Sequence, residues 1–127
     1  MARQKSAGLT DAELRLMEML WARGSATVSD VAEGLPKRTP LAYSTVLTTL
    51  RILEVKGYLT HTKEGRAFVY RPAIGRDQVR EKAVTHLLRR FFEGSPELLM
   101  LNLVEGRKLP AAELQRIRRR IAEEEES

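Results

Sequence analysis

Ser44, Thr48 and Arg51 fall on one side of a helical stretch when residues are spaced by about 100° each, and Val46, Thr49, Leu50 and Leu53 fall on the other. Leu47 sits on the shoulder between them. A helix facing water alone favours Glu and Lys, the strong helix formers. Short hydroxyls cost helicity, but they let a helix come close to base edges, and an arginine can pair bidentately with guanine. The chemistry suggested is the reading of base pairs in a DNA groove. The same face with no partner would be a Thr-rich surface, so the surrounding elements decide.

Those elements begin with Thr10-Asp11-Ala12-Glu13, which fits a capping box, with Leu9 and Leu14 placed as a hydrophobic staple. Leu14, Met17, Leu20 and Trp21 continue as an apolar stripe to a stop at Gly24. Trp21 on such a stripe reads as core rather than as a ligand platform. A second, shorter helix starts at Thr27, with Asp30 completing its cap and Val28, Val31, Ala32 and Leu35 on its inner side. Gly34 and Pro36 end it, and Pro36-Lys37-Arg38-Thr39-Pro40 forms a turn. The third helix, the one bearing Arg51, is expected from Leu41 to Lys56.

After Gly57 the pattern changes to a period of two. Residues 58–62 and 67–71 read as strands around the turn Lys63-Glu64-Gly65-Arg66, with Leu59, Phe68 and Tyr70 as anchors and Lys63 and Arg66 at the tip. A hairpin this short needs support, which the preceding helices supply. Charge is concentrated in the same region. Residues 36–72 hold seven basic groups (Lys37, Arg38, Arg51, Lys56, Lys63, Arg66, Arg71) and two acidic ones (Glu54, Glu64), within a chain of net charge +5. Three helices, a turn and a basic hairpin imply a winged helix-turn-helix in residues 1–73, with Lys37, Arg38, Lys63 and Arg66 as candidate phosphate contacts.

Residues 74–127 read as three helices. One runs from Asp77 to Phe92, with Val79, Ala83, Leu87 and Phe91 on a broad stripe. Ser95-Pro96 caps the next, an almost wholly apolar run containing Leu98, Leu99, Leu101 and Leu103 that ends at Gly106. The last runs from Pro110 to Glu124, with Leu114, Ile117 and Ile121 aligned. Such short helices are too small to bury that much apolar surface alone, so a second copy is the expected cover and a two-fold homodimer the expected assembly. The fold class is therefore mainly α with a small β-hairpin wing: a winged helix-turn-helix followed by a helical dimerisation region.

The sequence resembles the penicillinase-repressor family of bacterial regulators. The likeness rests on Leu9-Thr10-Asp11-Ala12-Glu13 with Leu20-Trp21, on Thr45-Val46-Leu47-Thr48-Thr49-Leu50 with Leu53 and Lys56-Gly57, and on Gly65-Arg66-Ala67-Phe68-Val69-Tyr70-Arg71-Pro72. The resemblance implies a homodimeric repressor of resistance or copper-homeostasis genes, bound to a partly palindromic operator on double-stranded DNA. It adds Thr45 to Ser44, Leu47, Thr48 and Arg51 on the base-reading surface. Ile52 stands where relatives often carry a basic residue, and Leu47 where some carry arginine; Leu47 is suited to a thymine methyl. The resemblance also implies cleavage by a membrane-bound sensor metalloprotease, at a position occupied here by Asn102-Leu103. Without such a protease, Asn102 is one polar residue on a helix surface. The cysteine cluster used by copper-responsive members has no counterpart, because the chain has no cysteine.

Other function classes find little support. Absence of cysteine excludes disulfides, thiolate ligands and a thiol nucleophile. The two histidines, His61 and His86, lie in no metalloprotease spacing, and no glycine-rich phosphate loop is present. No catalytic residue, cofactor or metal ligand is assigned, beyond a weak site at His86 with Glu81 or Glu93 as the alternative to a plain surface histidine. No apolar run approaches membrane-span length and no signal-peptide pattern opens the chain, so a cytoplasmic location is expected. The rival from a different class is a winged-helix module that binds protein instead of DNA.

Overall fold

The computed structural model describes residues 8–126; residues 1–7 and Ser127, which the expected domain limits include, lie outside the described residues. The order is α1 (Asp11–Arg23), β1 (Ala26–Thr27), α2 (Val28–Gly34), α3 (Tyr43–Val55), β2 (Leu59–Glu64), β3 (Ala67–Pro72), α4 (Arg76–Phe91), α5 (Pro96–Glu105) and α6 (Ala111–Glu126). The chain parts into two compact units between Ala83 and Val84. That boundary falls inside α4, eleven residues beyond the end of β3, because the start of α4 is fastened to the first unit. Trp21 Nε1 donates to the Ile74 carbonyl at 2.9 Å, Arg76 pairs with Glu18 at 2.9 Å, and Val79 packs against the core. Val79, expected on the dimerising stripe, thus serves the first unit.

Local chemistry sets the helix starts. Both expected capping boxes form: Thr10 Oγ1 accepts from Glu13 N–H at 3.1 Å, and Thr27 Oγ1 accepts from Asp30 N–H at 3.0 Å. In each case the acidic side chain returns to the cap N–H, at 2.8 Å and 3.1 Å. The Asp30 carboxyl is accordingly held below its ordinary value, first by the Thr27 N–H and then by its hydroxyl.

The core of the first unit joins Leu16, Met17 and Leu20 of α1, Val28 and Val31 of α2, and Val46, Leu50 and Leu53 of α3 with Leu59 and Tyr70 of the sheet. Leu14, expected on the buried stripe, is exposed, and Leu16 takes the inner position, since Leu16 and Leu20 lie one turn apart on the same face. The sheet has three strands, not two, in the order β1-β3-β2 and antiparallel throughout. The added strand pairs Ala26 with Tyr70 and Thr27 with Val69, satisfying the free edge of β3. Within the hairpin Leu59 and Tyr70 are buried as expected. Phe68 is not: it is 38% exposed.

In the second unit Ser95 caps α5 by accepting from Leu98 N–H at 3.1 Å, with Pro96 in the first turn. None of the described residues of α4, α5 or α6 is buried. Leu87, Leu98, Leu101, Ile117 and Ile121 are exposed, and Phe91 is 65% exposed. Leu99, Leu103 and Leu114 are half-buried.

Candidate nucleic-acid interface

The turn before α3 is pinned from behind. Arg15 on α1 donates to the Thr39 carbonyl at 2.6 Å and to the Thr39 hydroxyl at 2.9 Å, and Thr39 N–H closes a turn on the Pro36 carbonyl. Lys37 and Arg38 are thereby held at the exposed crest of a fixed loop. At its other end, α3 stops where Gly57 takes φ +93°, a conformation that a side chain would strain, and Tyr58 N–H returns to the Leu53 carbonyl.

A buried ion pair locks α3 to α1. Lys56 Nζ donates to both carboxylate oxygens of Glu13, at 2.9 and 3.0 Å, while Glu13 is only 5% exposed. Burial alone would raise the Glu13 carboxyl. Hydrogen bonds from Lys56 and the Thr10 N–H, together with the Lys56 charge, outweigh it and hold the group below its usual range.

With its back on the core, α3 presents Ser44, Thr45, Thr48 and Arg51 to solvent, and Leu47 half-buried beside them. Arg51 is not isolated. Its guanidinium neighbours the buried Tyr70 hydroxyl, whose pKa is raised first by desolvation and then by Glu54, with Arg51 opposing. Glu54 in turn meets His61 Nδ1 at 2.7 Å, and the His61 ring stands edge-on to Phe68 at 5.3 Å and tilted over Tyr70 at 5.2 Å. This cluster braces the hairpin against α3. Its members come from three elements, so spacing along the chain did not show it; the signal was the pairing of His61 opposite Tyr70 in the register.

The hairpin loop is tighter than expected. Glu64 pairs with Ala67, leaving Gly65 and Arg66 as a two-residue connection with Gly65 at φ +64°. A turn with glycine at its first central position matches strand twist. Arg66 is therefore at the tip, as expected, but Lys63 is not: it lies within β2 opposite Phe68. Both remain exposed. Behind the tip Arg71 crosses to Thr62 at 2.9 Å and Glu64 at 3.3 Å.

A helix backed by two others, with a cationic loop at one end and a cationic hairpin at its side, is the arrangement of a winged helix. The family model described as penicillinase repressor matches residues 9–123. The chain belongs to the penicillinase repressor family. It is 34% identical over 111 residues to the penicillinase repressor of Bacillus licheniformis, with 87% of each chain covered. It is 36% identical over 121 residues to the transcriptional regulator BlaI of Mycobacterium tuberculosis, covering 94% of this chain and 86% of that one. The solution structure of the DNA-binding domain of the repressor BlaI superposes with a TM-score of 0.51 at 38% identity, over 58% of this chain and 90% of that one.

Elsewhere the penicillinase-repressor chain keeps Asn102 exposed within α5, its carbonyl accepting from Gly106 N–H at 2.9 Å. Among the described residues no three His, Cys, Asp or Glu side chains group as a metal site, and no helix is long and apolar enough to cross a membrane.

Proposed function

We propose that the chain is a homodimeric, sequence-specific DNA-binding repressor of resistance-type genes, released by proteolysis. One observation carries the DNA reading: the outward face of α3 bears Ser44, Thr48 and Arg51, and cations flank it at Lys37 and Arg38 on one side and at Arg66 on the hairpin. The relatives' names, penicillinase repressor and transcriptional regulator, and the DNA-binding domain that superposes support the same reading. On it, α3 enters a major groove. Ser44, Thr45, Leu47, Thr48 and Arg51 address base edges, while Lys37, Arg38, Lys63 and Arg66 hold phosphates. Occupancy at a promoter then excludes polymerase.

The residues up to the end of the wing, with the start of α4 fastened to them, form the DNA-binding part, and the helices beyond form the dimerising part. Supporting this, α4 to α6 bury no described residue, and the exposed Leu87, Phe91, Leu101 and Ile121 would be covered by a second copy. A two-fold protein calls for a two-fold operator, with half-site centres about 34–36 Å apart or another near-integral number of turns. Cleavage by a membrane sensor metalloprotease at Asn102-Leu103 would cut α5 in its body and remove the dimer's helical support.

Selection of bound duplexes from a random pool, with the full chain, tests the proposal. A palindromic consensus whose affinity falls steeply with salt is expected. Indifference to every duplex at low ionic strength would refute it and favour a protein-binding winged helix.

A further inference from the structure

An open cleft of about 450 Å3 separates the hairpin from the first turns of α2 and α3. Its polar lining is made by Thr27, Ser29, Tyr43, Glu64 and Arg66, and Leu47 and Phe68 supply apolar wall between them. The Thr27 hydroxyl is taken up by Asp30, accepting from its N–H and bonding its carboxylate, so it is not among the free groups. The side chains of Ser29, Tyr43 and Arg66 have no hydrogen-bond or ion-pair partner among the described residues. Tyr43, the first residue of α3, is 54% exposed, a large unpaired side chain at the head of the reading helix.

We propose that this cleft carries one sugar–phosphate strand of the bound duplex, and that Tyr43 and Ser29 are positioning residues that grip its phosphates. The inference rests on the DNA reading above and extends it to residues outside the basic set. A helix in a major groove and a hairpin reaching the next minor groove have a backbone strand between them, so the gap must stay open. The strand alternates anionic phosphates with less polar sugars. Hydroxyls and Arg66 answer the first, Leu47 and Phe68 the second. Glu64 also lines the cleft, but its carboxylate accepts from Arg71 and Thr62, each at 3.3 Å, which tempers its repulsion of phosphate.

The test compares the full-length protein with Tyr43→Phe, Ser29→Ala and Arg66→Ala on a selected operator duplex and on a scrambled one, at several salt concentrations. Tyr43→Phe and Ser29→Ala should each weaken both duplexes equally, by about threefold to tenfold. Because no charge is removed, the slope of log K against log salt stays put; Arg66→Ala lowers it by about one. Methylphosphonate placed at single phosphates flanking the half-site should cost the wild type more than Tyr43→Phe at one position, which a merely structural role would not produce. Wild-type binding to both duplexes by the two hydroxyl variants would overturn the proposal. So would a loss by Tyr43→Phe confined to the operator, since Tyr43 would then read a base. If the wild-type chain bound neither duplex, the DNA reading itself would fall.

Discussion

Replacing Lys56 by methionine would strand the Glu13 carboxylate, and the geometry sets the size of the effect. At 2.9 Å the pair attracts with about 6 kcal/mol at an effective dielectric of about 20, and with about 1.4 kcal/mol in bulk water. The Lys56 side chain is 26% exposed, so the value lies between these limits, and the cost of dehydrating both groups reduces it further. Glu13 keeps the Thr10 N–H after the change. A loss of about 2–3 kcal/mol follows, roughly 10–20 °C in the unfolding midpoint of a domain this size. Trp21 is the chain's single tryptophan and lies 5.3 Å from the Arg76 guanidinium, so its fluorescence during thermal or urea unfolding reports the transition. The sign of the pH dependence is fixed as well. The Glu13 carboxyl is lowered in the folded protein, so its contribution is present above the ordinary value of 4.5 and lost as pH falls through the folded value. Lys56→Met should therefore be most destabilised near neutrality, and its gap to the wild type should close in acid. Adding Glu13→Gln should return at least about 1 kcal/mol. A gap under about 0.5 kcal/mol, or one that stays constant through the carboxylate range, would refute the reasoning.

Three further outcomes are expected. Arg51→Ala should lose about 1–3 kcal/mol of discrimination between operator and random duplex in titrations of both, whereas a plain phosphate contact would weaken the two alike. Phe91→Asp puts a charge on a 65% exposed ring, and should leave the Trp21 unfolding transition in place while light scattering reports a monomer. Gly65→Ala meets no atom within 4 Å, so its cost of about 1–2 kcal/mol comes from the positive φ alone and should appear as weaker binding to every duplex, measured by fluorescence anisotropy.

What the residues disclose in advance depends on how local the cause is. Thr10 with Glu13 and Thr27 with Asp30 act across three positions, and both helix starts were legible. The outward set of Ser44, Thr48 and Arg51 was legible because a helix repeats over a few residues. By contrast β1 is two residues long, below any period, and exists because β3 has an edge to satisfy. Lys63 reads as a tip residue because a two-residue turn and a four-residue turn share the same glycine, and only the pairing of Glu64 with Ala67 tells them apart. Phe68 and Tyr70 lie on the same strand face, so the period of two cannot separate the exposed ring from the buried one. Lys56 and Glu13 are 43 positions apart, and the Arg51, Glu54, His61 and Tyr70 cluster draws on three elements, so neither could be read without the fold.

Thr27 holds two posts at once, as the last residue of β1 and the cap of α2. Its backbone pairs opposite Val69 of the hairpin while its hydroxyl starts the helix. The wing cannot peel away without unthreading the beginning of α2. Hairpin and α2 are thereby tied to each other, and the entropy of aligning them is surrendered when the chain folds, before any duplex arrives.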